Sequence, residues 1–181
     1  MNKHLVRGLA AAALALGSLS LTACPAPAPY VLPTTAGAEI NDDFWSAYYP
    51  EFKKDMTWTY KFSSFDASGS VVAEGESVWK IVEVNDGAAT VKINAKLGET
   101  TLAEETTQLT KKGPSNAKSG FKFQKTKARK IGGVDYPEAV WLSSTNDDGT
   151  SDDYWVVKGV GIVAIDHNKD KTYLSLKSKS F

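Results

Sequence analysis

Few side chains in this sequence are suited to nucleophilic or acid–base chemistry. The chain holds one cysteine, Cys24, and two histidines, His4 and His167. Nucleophilic catalysis requires a base beside the attacking serine, threonine or cysteine. His4 lies in an N-terminal segment that we expect to be removed, and His167 lies in a predicted turn between two strands. The sequence therefore favours a solvated role for His167 and predicts neither a serine–histidine triad nor a histidine-rich metal site.

Two further patterns bear on enzymatic activity. Ser115 and Lys118 have the Ser-x-x-Lys spacing of penicillin-recognising enzymes, but that motif requires a long buried helix with Ser-Asp-Asn and Lys-Thr-Gly partners. Gly113-Pro114 places the motif in a predicted loop, and the partner motifs do not occur in the sequence. We therefore predict that the chain is not an enzyme. The carboxylates that could serve a glycan hydrolase, by residue type alone, are Glu74, Glu76, Glu104 and Glu105.

An acidic segment, residues 146–153, holds four aspartates whose oxygens could ligate a calcium ion. If Gly149 took the sixth position of an EF-hand loop, the first position would be Ser144 and the twelfth Trp155. Tryptophan cannot supply the carboxylate required at the twelfth position, so the EF-hand pattern fails. We expect an acidic hairpin loop here, and we predict neither a metal ion nor a cofactor for the chain.

Residues 111–130 form a basic stretch with eight lysine or arginine residues and no acidic residue. On a strand, three of these cations share one face with two phenylalanines. Such a face could contact anionic lipid, lipopolysaccharide or a cell-wall polymer. The pattern favours the alternative, a charged edge strand that prevents aggregation. The residues of equal parity are Phe121, Phe123, Lys125, Lys127 and Arg129.

Aromatic residues recur at strand spacing in several of the predicted strands. They could line a pocket for a hydrophobic ligand, but aromatic residues at such spacing more often form ordinary core. The sequence favours core and leaves the pocket open. The set consists of Trp58, Tyr60, Phe62, Trp79, Trp141, Tyr154 and Trp155.

The N-terminus has the pattern of a secretory signal peptide. Lys3 and Arg7 form a basic start, and the apolar run over residues 8–20 is too short to span a bilayer. Directly behind it, Leu21-Thr22-Ala23-Cys24 resembles the lipobox of bacterial lipoproteins. The resemblance implies cleavage before Cys24, a diacylglyceryl thioether on its sulfur, and acyl chains such as palmitate that hold the protein on a membrane. The alternative, an exported free thiol, would be chemically reactive.

Residues 24–40 form a predicted tether between this anchor and a folded domain. Four of these residues are prolines, which favour the polyproline conformation. At about 3.1 Å per residue, the tether could hold the domain up to roughly 50 Å from the bilayer. Residues 41–181 remain for one domain with a core of its own.

The charge of the chain after cleavage is nearly balanced. Removal of residues 1–23 takes away Lys3 and Arg7, which leaves 19 basic and 21 acidic residues and a formal charge of −2. A dedicated nucleic-acid binder would normally be strongly basic, so we predict no nucleic-acid partner. No second apolar stretch is long enough to cross a membrane.

The domain sequence predicts one short helix followed by strands. Asp42 or Asp43 could cap the helix, and Pro50 would end it. From Met56 onward the hydrophobic period is two, and Asn85-Asp86-Gly87 is a strong hairpin signal. Strands joined by short turns favour an all-β antiparallel meander of about 8–10 strands in a curved sheet, half-barrel or barrel. The predicted strands cover residues 56–62, 71–84, 91–97, 100–110, 121–131, 134–143, 154–158, 162–166 and 172–178.

Three motifs of the domain occur together in a known group of sequences. Tyr49-Pro50, Trp58-Thr59-Tyr60 and the closing hairpin, residues 154–163, resemble a loosely defined group of uncharacterised bacterial lipoproteins. That group shares Tyr-Pro, Trp-x-Tyr and Trp-x-x-x-Gly-Val-Gly-Leu/Ile-Val, and the resemblance covers about residues 48–178. Asp55 stands where a glycine is usual before the tryptophan. The resemblance implies an all-β fold, like the half-barrel of periplasmic carriers, and an envelope location, and it implies no activity.

These observations predict a membrane-anchored lipoprotein of the bacterial envelope with its domain facing the periplasm or the exterior. The predicted function is non-enzymatic binding of a hydrophobic or lipid-like ligand. The alternative is a structural module that docks other envelope proteins or an anionic envelope polymer. The predicted site residue is Cys24, as the lipid anchor, and no catalytic, cofactor or metal residue is predicted.

Overall fold

The computed structural model describes residues 29–86, 88–110, 113–114 and 120–181. One short helix and ten strands form within these residues. Their bounds in chain order are α1 Asp42–Tyr48, β1 Thr57–Phe65, β2 Val71–Asn85, β3 Ala88–Leu97, β4 Thr100–Thr110, β5 Gly113–Pro114, β6 Phe121–Ile131, β7 Val134–Thr145, β8 Ser151–Val157, β9 Gly161–His167 and β10 Thr172–Ser180.

All ten strands belong to one antiparallel sheet in the order β5-β4-β3-β2-β1-β10-β9-β8-β7-β6. Every pair of neighbours is consecutive in the chain except β1 and β10, which pair from Thr57↔Ser180 to Ser64↔Thr172. The first and last strands therefore lie side by side in the middle of the sheet. The edge strands β5 and β6 do not pair with each other in the described residues, so the curved sheet is not closed. The predicted all-β antiparallel meander with a short N-terminal helix is confirmed.

Helix α1 lies against the face of the sheet that carries the core, which we call the inner face. Phe44 is 0% exposed and Trp45 2% exposed, and the Trp45 ring lies 4.8 Å from the ring of Phe121 on β6. The helix has seven residues and ends before Pro50, whose ring cannot continue it. Among the residues the structure describes, no helix is both long and apolar enough to cross a membrane.

The inner face follows the alternation read from the sequence. Met56, Trp58 and Tyr60 on and before β1 are buried, as expected for a strand with one face on the core. On the second half of β3, the alternation no longer predicts which side chains are buried. Val91 is fully buried but Leu97 is 39% exposed, because the ends of β2, β3 and β4 extend past the core.

Part of the predicted tether packs on the domain. The Gly37 amide donates to the Phe123 carbonyl at 2.7 Å, and the Ile40 amide donates to the Phe121 carbonyl at 2.8 Å. The Tyr30 ring meets the edge of the Phe44 ring at 5.6 Å. The chain just before α1 thus covers the start of edge strand β6, and the folded part includes residues 30–40.

Strand β6 is the edge strand that its charge predicts, but its phenylalanines and cations do not share a face. The pairing with β7 shifts register between Phe123 and Lys125. Phe123 pairs with buried Leu142, whereas Lys125 pairs with Trp141 on the opposite, outer face. This bulge places Lys125 on the face opposite to Phe123, so the expected mixed face of phenylalanine and lysine is wrong. A second register shift follows between Lys127 and Arg129.

Candidate functional site

His167 is the last residue of β9 and is hydrogen-bonded to a buried carboxylate. Its Nδ1 lies 2.9 Å from Oδ2 of Asp152, which is 5% exposed. The His167 side chain itself is 26% exposed, so the expectation of a solvated turn residue is wrong. The turn begins one residue later than the sequence suggested, and pairing with Asp152 on β8 keeps His167 in the sheet.

The inner face places Ser144, Asp152 and His167 in one row across three strands. Asp152 occupies the middle position, so Ser144 and His167 are separated by two inter-strand spacings, about 9–10 Å. His167 cannot take a proton from Ser144 over that distance. The Ser144 hydroxyl and Oδ1 of Asp152 are buried without a hydrogen-bond partner among the described residues. The row is therefore a polar cluster within the core and lacks the geometry of a catalytic triad.

The aspartates of the acidic segment are dispersed. Asp148 pairs with Lys169 at 2.7 Å, and this contact together with hydrogen bonds from Thr150 holds the pKa of the Asp148 carboxyl well below its usual range. Asp152 lies on the inner face, while Asp153 lies on the outer face and accepts a hydrogen bond from Trp141 Nε1 at 2.9 Å. No group of three or more histidine, cysteine or acidic side chains within the described ranges could hold a metal ion.

Two of the four glutamates considered for glycan hydrolysis are held by lysines on neighbouring strands. Glu74 pairs with Lys61 at 2.6 Å, and the hydrogen bond from Lys61 lowers the pKa of the Glu74 carboxyl. Glu104 pairs with Lys92, which likewise lowers its pKa. A general acid requires a raised pKa, so these carboxylates do not have that character.

The aromatic set is divided between the two faces of the sheet. Trp58, Tyr60 and Tyr154 are buried on the inner face as core. Trp141 and Trp155 stack on the outer face with ring centroids 5.7 Å apart and an interplanar angle of 12°. The single pocket that the whole set could have lined does not form.

A groove of about 510 Å³ opens between α1 and the β4 side of the sheet; we call it the helix-side groove. Three aromatic rings follow one another along it, with centroids 5.7 Å apart from Trp45 to Tyr49 and 5.5 Å apart from Tyr49 to Phe52. Ser46, Glu51 and Thr110 add polar groups. This volume is in the range of small-ligand sites, which are mostly apolar with few polar groups. The lining residues are Trp45, Ser46, Tyr49, Pro50, Glu51, Phe52, Val84 and Thr110.

Tyr49 holds the helix end of the groove against the sheet. A Cβ atom added at Gly161 would lie 2.5 Å from two carbons of the Tyr49 ring, so the ring rests directly on the backbone of β9. The Tyr49 hydroxyl is buried with no hydrogen-bond partner in the part of the chain that is described, and burial raises the pKa of this phenol. The backbone amide of Gly159 donates to the Tyr48 carbonyl at 2.9 Å and holds the end of the helix to the same hairpin.

The sequence indicated only part of this groove. It predicted the short helix that ends before Pro50, and Trp45 and Tyr49 at this helix are buried. It did not identify Val84 or Thr110 as their neighbours, because those strands reach the helix through tertiary packing and not through sequence proximity. Cys24, the predicted lipid anchor, lies outside the described residues, as do Ser115 and Lys118.

Two solved structures resemble this chain. One, assigned as an exported protein with a YmcC-like fold from Bacteroides fragilis, is 10% identical with a TM-score of 0.43, and the match covers 75% of this chain and 100% of that one. The other, assigned as a lipoprotein from Parabacteroides distasonis, is 10% identical with a TM-score of 0.44, covering 74% and 99%. No family model and no curated protein matches the sequence. Similarity at this level carries no function over to this chain.

Proposed function

We propose that the protein is a bacterial envelope lipoprotein, anchored through acylated Cys24, whose domain binds a hydrophobic, lipid-like ligand in the helix-side groove. The binding is non-enzymatic. The observation that carries the proposal is the row of rings from Trp45 through Tyr49 to Phe52, which lines the helix-side groove.

The ligand binds at the edge of the sheet and not inside it. Phe44 and Trp45 of α1 fill the inner face, so the space that a hollow half-barrel would offer is occupied by side chains. The helix-side groove lies where the helix leaves the sheet beside Val84 and Thr110. An acyl chain placed there would cover apolar area at about 25 cal/mol per Å².

The anchor and the packed tether together keep the groove near the membrane. Because residues 30–40 lie on the domain, only six residues, 24–29, separate it from the proposed anchor. Six residues span at most roughly 20 Å, less than half the reach expected from the whole tether. A lipid-binding groove at this distance could exchange acyl chains with the leaflet.

Ligand binding is tested by displacement of a fluorescent fatty acid with palmitate, using chain from residue 24 with Cys24→Ser to remove the anchor. Val84→Lys places a charge in the groove and should weaken binding at least tenfold. Val72→Lys is the matched control, because Val72 is 62% exposed on β2 away from the groove. Equal affinities for the two variants would refute the groove as the site.

The anchor is tested separately by growing cells with radioactive palmitate. The wild-type chain should be labelled and should remain with membranes. Cys24→Ala should be unlabelled and released in buffer. A labelled Cys24→Ala chain would contradict the anchor and leave the binding test unaffected.

A second candidate function, docking of another envelope protein, is favoured by the far ends of β2, β3 and β4. Here both faces of the sheet are exposed, and β5 covers β4 only at Leu109 and Thr110. An open strand edge can accept an extended segment of a partner. Crosslinking in the envelope from a photoreactive residue at position 102 would capture that partner, and the same residue at 31 would not. The exposed apolar side chains at this end are Val71, Val72, Leu97 and Leu102.

A further inference from the structure

A second groove lies on the outer face, between the turn that joins β1 to β2 and the turn that joins β9 to β10; we call it the turn-side groove. Its volume is about 490 Å³. Register pairing places Asp166 beside Tyr173 on adjacent strands, and both are half-buried. The groove is separate from the helix-side groove, with no lining residue in common. Its lining residues are Phe65, Asp66, Ala67, Gly69, Arg129, Asp166, Asn168, Lys171 and Tyr173.

Arg129 reaches this groove from β6 and is held between aromatic rings. Its guanidinium carbon lies 4.0 Å from the centre of the Trp155 ring and 6.0 Å from that of the Tyr173 ring. A guanidinium stacked in this way presents its N–H donors at the edge of its plane. Within the described residues, the Arg129 side chain makes no hydrogen bond and no ion pair. Its five donors are thus positioned and unused.

Asp166 supplies the complementary acceptor. Its carboxylate also has no hydrogen-bond partner in the described part of the chain. The nearby positive charge of Arg129 acts to lower the pKa of Asp166. Burial and the negative charge of Asp153 act in the opposite direction and dominate, so the pKa of Asp166 is raised. A positioned donor and a positioned acceptor therefore stand in one groove without satisfying each other.

The charges that line the groove cancel. Asp66 and Asp166 are acidic, and Arg129 and Lys171 are basic. A groove for an anionic lipid head group or phosphate would carry an excess of cations. A neutral ligand that both donates and accepts hydrogen bonds suits this lining better.

We propose that the turn-side groove binds a neutral saccharide unit. A sugar ring offers hydroxyls that accept from Arg129 and donate to Asp166, and its C–H face packs on an aromatic ring such as Tyr173. This site is independent of the lipid-like ligand and would allow the lipoprotein to hold an envelope glycan while its other groove holds an acyl chain.

The test uses isothermal titration of the chain from residue 24 (Cys24→Ser) with two probes, neutral tri-N-acetylchitotriose and anionic trigalacturonate. The neutral probe should bind, and Arg129→Gln should raise its Kd at least tenfold. Lys127→Gln, an exposed cation on the same strand, is the matched control and should change the Kd less than twofold. Preference for the anionic probe, or equal affinity in the Arg129 and Lys127 variants, would overturn the proposal.

Two further measurements separate loss of the site from loss of the fold. Asp166→Asn keeps the size of the side chain and should also weaken binding of the neutral probe. Fatty-acid displacement at the helix-side groove should be unchanged in both Arg129→Gln and Asp166→Asn. If saccharide binding fell while fatty-acid binding stayed intact, the defect would be local to the turn-side groove. If wild-type chain bound fatty acid but no saccharide, this proposal alone would fail.

Discussion

Tyr60 on β1 donates a hydrogen bond to the carbonyl of Ile162 on β9 at 2.8 Å, although β10 lies between these strands in the sheet. The contact is possible because β9 and β10 pair only from Thr172↔His167 to Ser175↔Ala164, which leaves the start of β9 separated from β10. Trp58 makes a second link of this kind, from Nε1 to the Val160 carbonyl at 2.9 Å. Side chains of β1 thus hold the hairpin on which Tyr49 and the end of α1 rest.

Tyr60→Phe should reduce the free energy of unfolding by about 1–3 kcal/mol, because it leaves the buried Ile162 carbonyl without its donor. Urea denaturation measures the change. Tyr173→Phe is the control, since the Tyr173 hydroxyl makes no hydrogen bond within the described residues. It should change stability by less than about 0.5 kcal/mol. Equal losses in the two variants would contradict the role given to the Tyr60 hydroxyl.

Gly161→Ala should be among the more damaging small substitutions in the chain. Gly161 has φ +85°, and an added Cβ would lie 2.5 Å from the Tyr49 ring. Backbone strain and overpacking together should cost about 2–5 kcal/mol. Gly159→Ala, with φ +73° and no atom within 4 Å of the added Cβ, carries the strain alone and should cost about 1–2 kcal/mol. If denaturation showed the same loss for both, the close contact with Tyr49 would not exist.

Asp55, just before β1, adopts a left-handed conformation with φ 70°. Aspartate tolerates this region better than most residues. Lys80 lies 2.7 Å from its carboxylate, and this contact lowers the pKa of Asp55. Asp55→Ala should lower the Tm by a few degrees, and Asp55→Gly should not, because glycine needs no side-chain support there. Thermal unfolding that ranked alanine at or above glycine would be inconsistent with the strained turn.

The raised pKa of Asp166 predicts a pH dependence of stability. The folded protein binds the proton of Asp166 more tightly than the unfolded chain does, whose aspartate pKa is about 3.9. The contribution of Asp166 to stability is therefore lost as the pH rises from about 4 through its folded pKa. Asp166→Asn should be more stable than wild type at pH 7, and the difference should shrink towards pH 4.

Urea denaturation at several pH values measures this difference. Asp153→Asn is an informative companion, because the negative charge of Asp153 contributes to the raised pKa of Asp166. Removing that charge should flatten the pH dependence in part. An Asp166→Asn variant that was less stable than wild type at neutral pH would contradict the prediction.

Much of the fold could be predicted because the signals were local. The alternation of Met56, Trp58 and Tyr60 identifies a half-buried strand, and burial of all three confirms it. Asn85 and Ala88 pair across a two-residue turn at Asp86, which has φ 49°, as the Asn-Asp-Gly signal predicts. Each of these conclusions needs only a few adjacent residues.

The remaining features depend on contacts between distant residues. Pairing of β1 with β10 brings the two ends of the domain together, and no short pattern encodes it. The bulge after Phe123 has no sequence signal, and it moves Lys125 and its neighbours to the other face. Arg129 lies beyond a second register shift and over the Trp155 ring, where it lines the turn-side groove that the sequence did not identify. Both grooves are products of tertiary packing. The sequence therefore indicated the aromatic residues but not the two grooves.

The most direct test of the proposed function is methyl NMR of the chain from residue 24 (Cys24→Ser), labelled at valine methyl groups and saturated with palmitate. The proposal predicts nuclear Overhauser contacts between acyl-chain protons and the methyl groups of Val84, and none with Val72 on the exposed end of β2. Saturation without contacts at Val84, or equal contacts at Val84 and Val72, would contradict it.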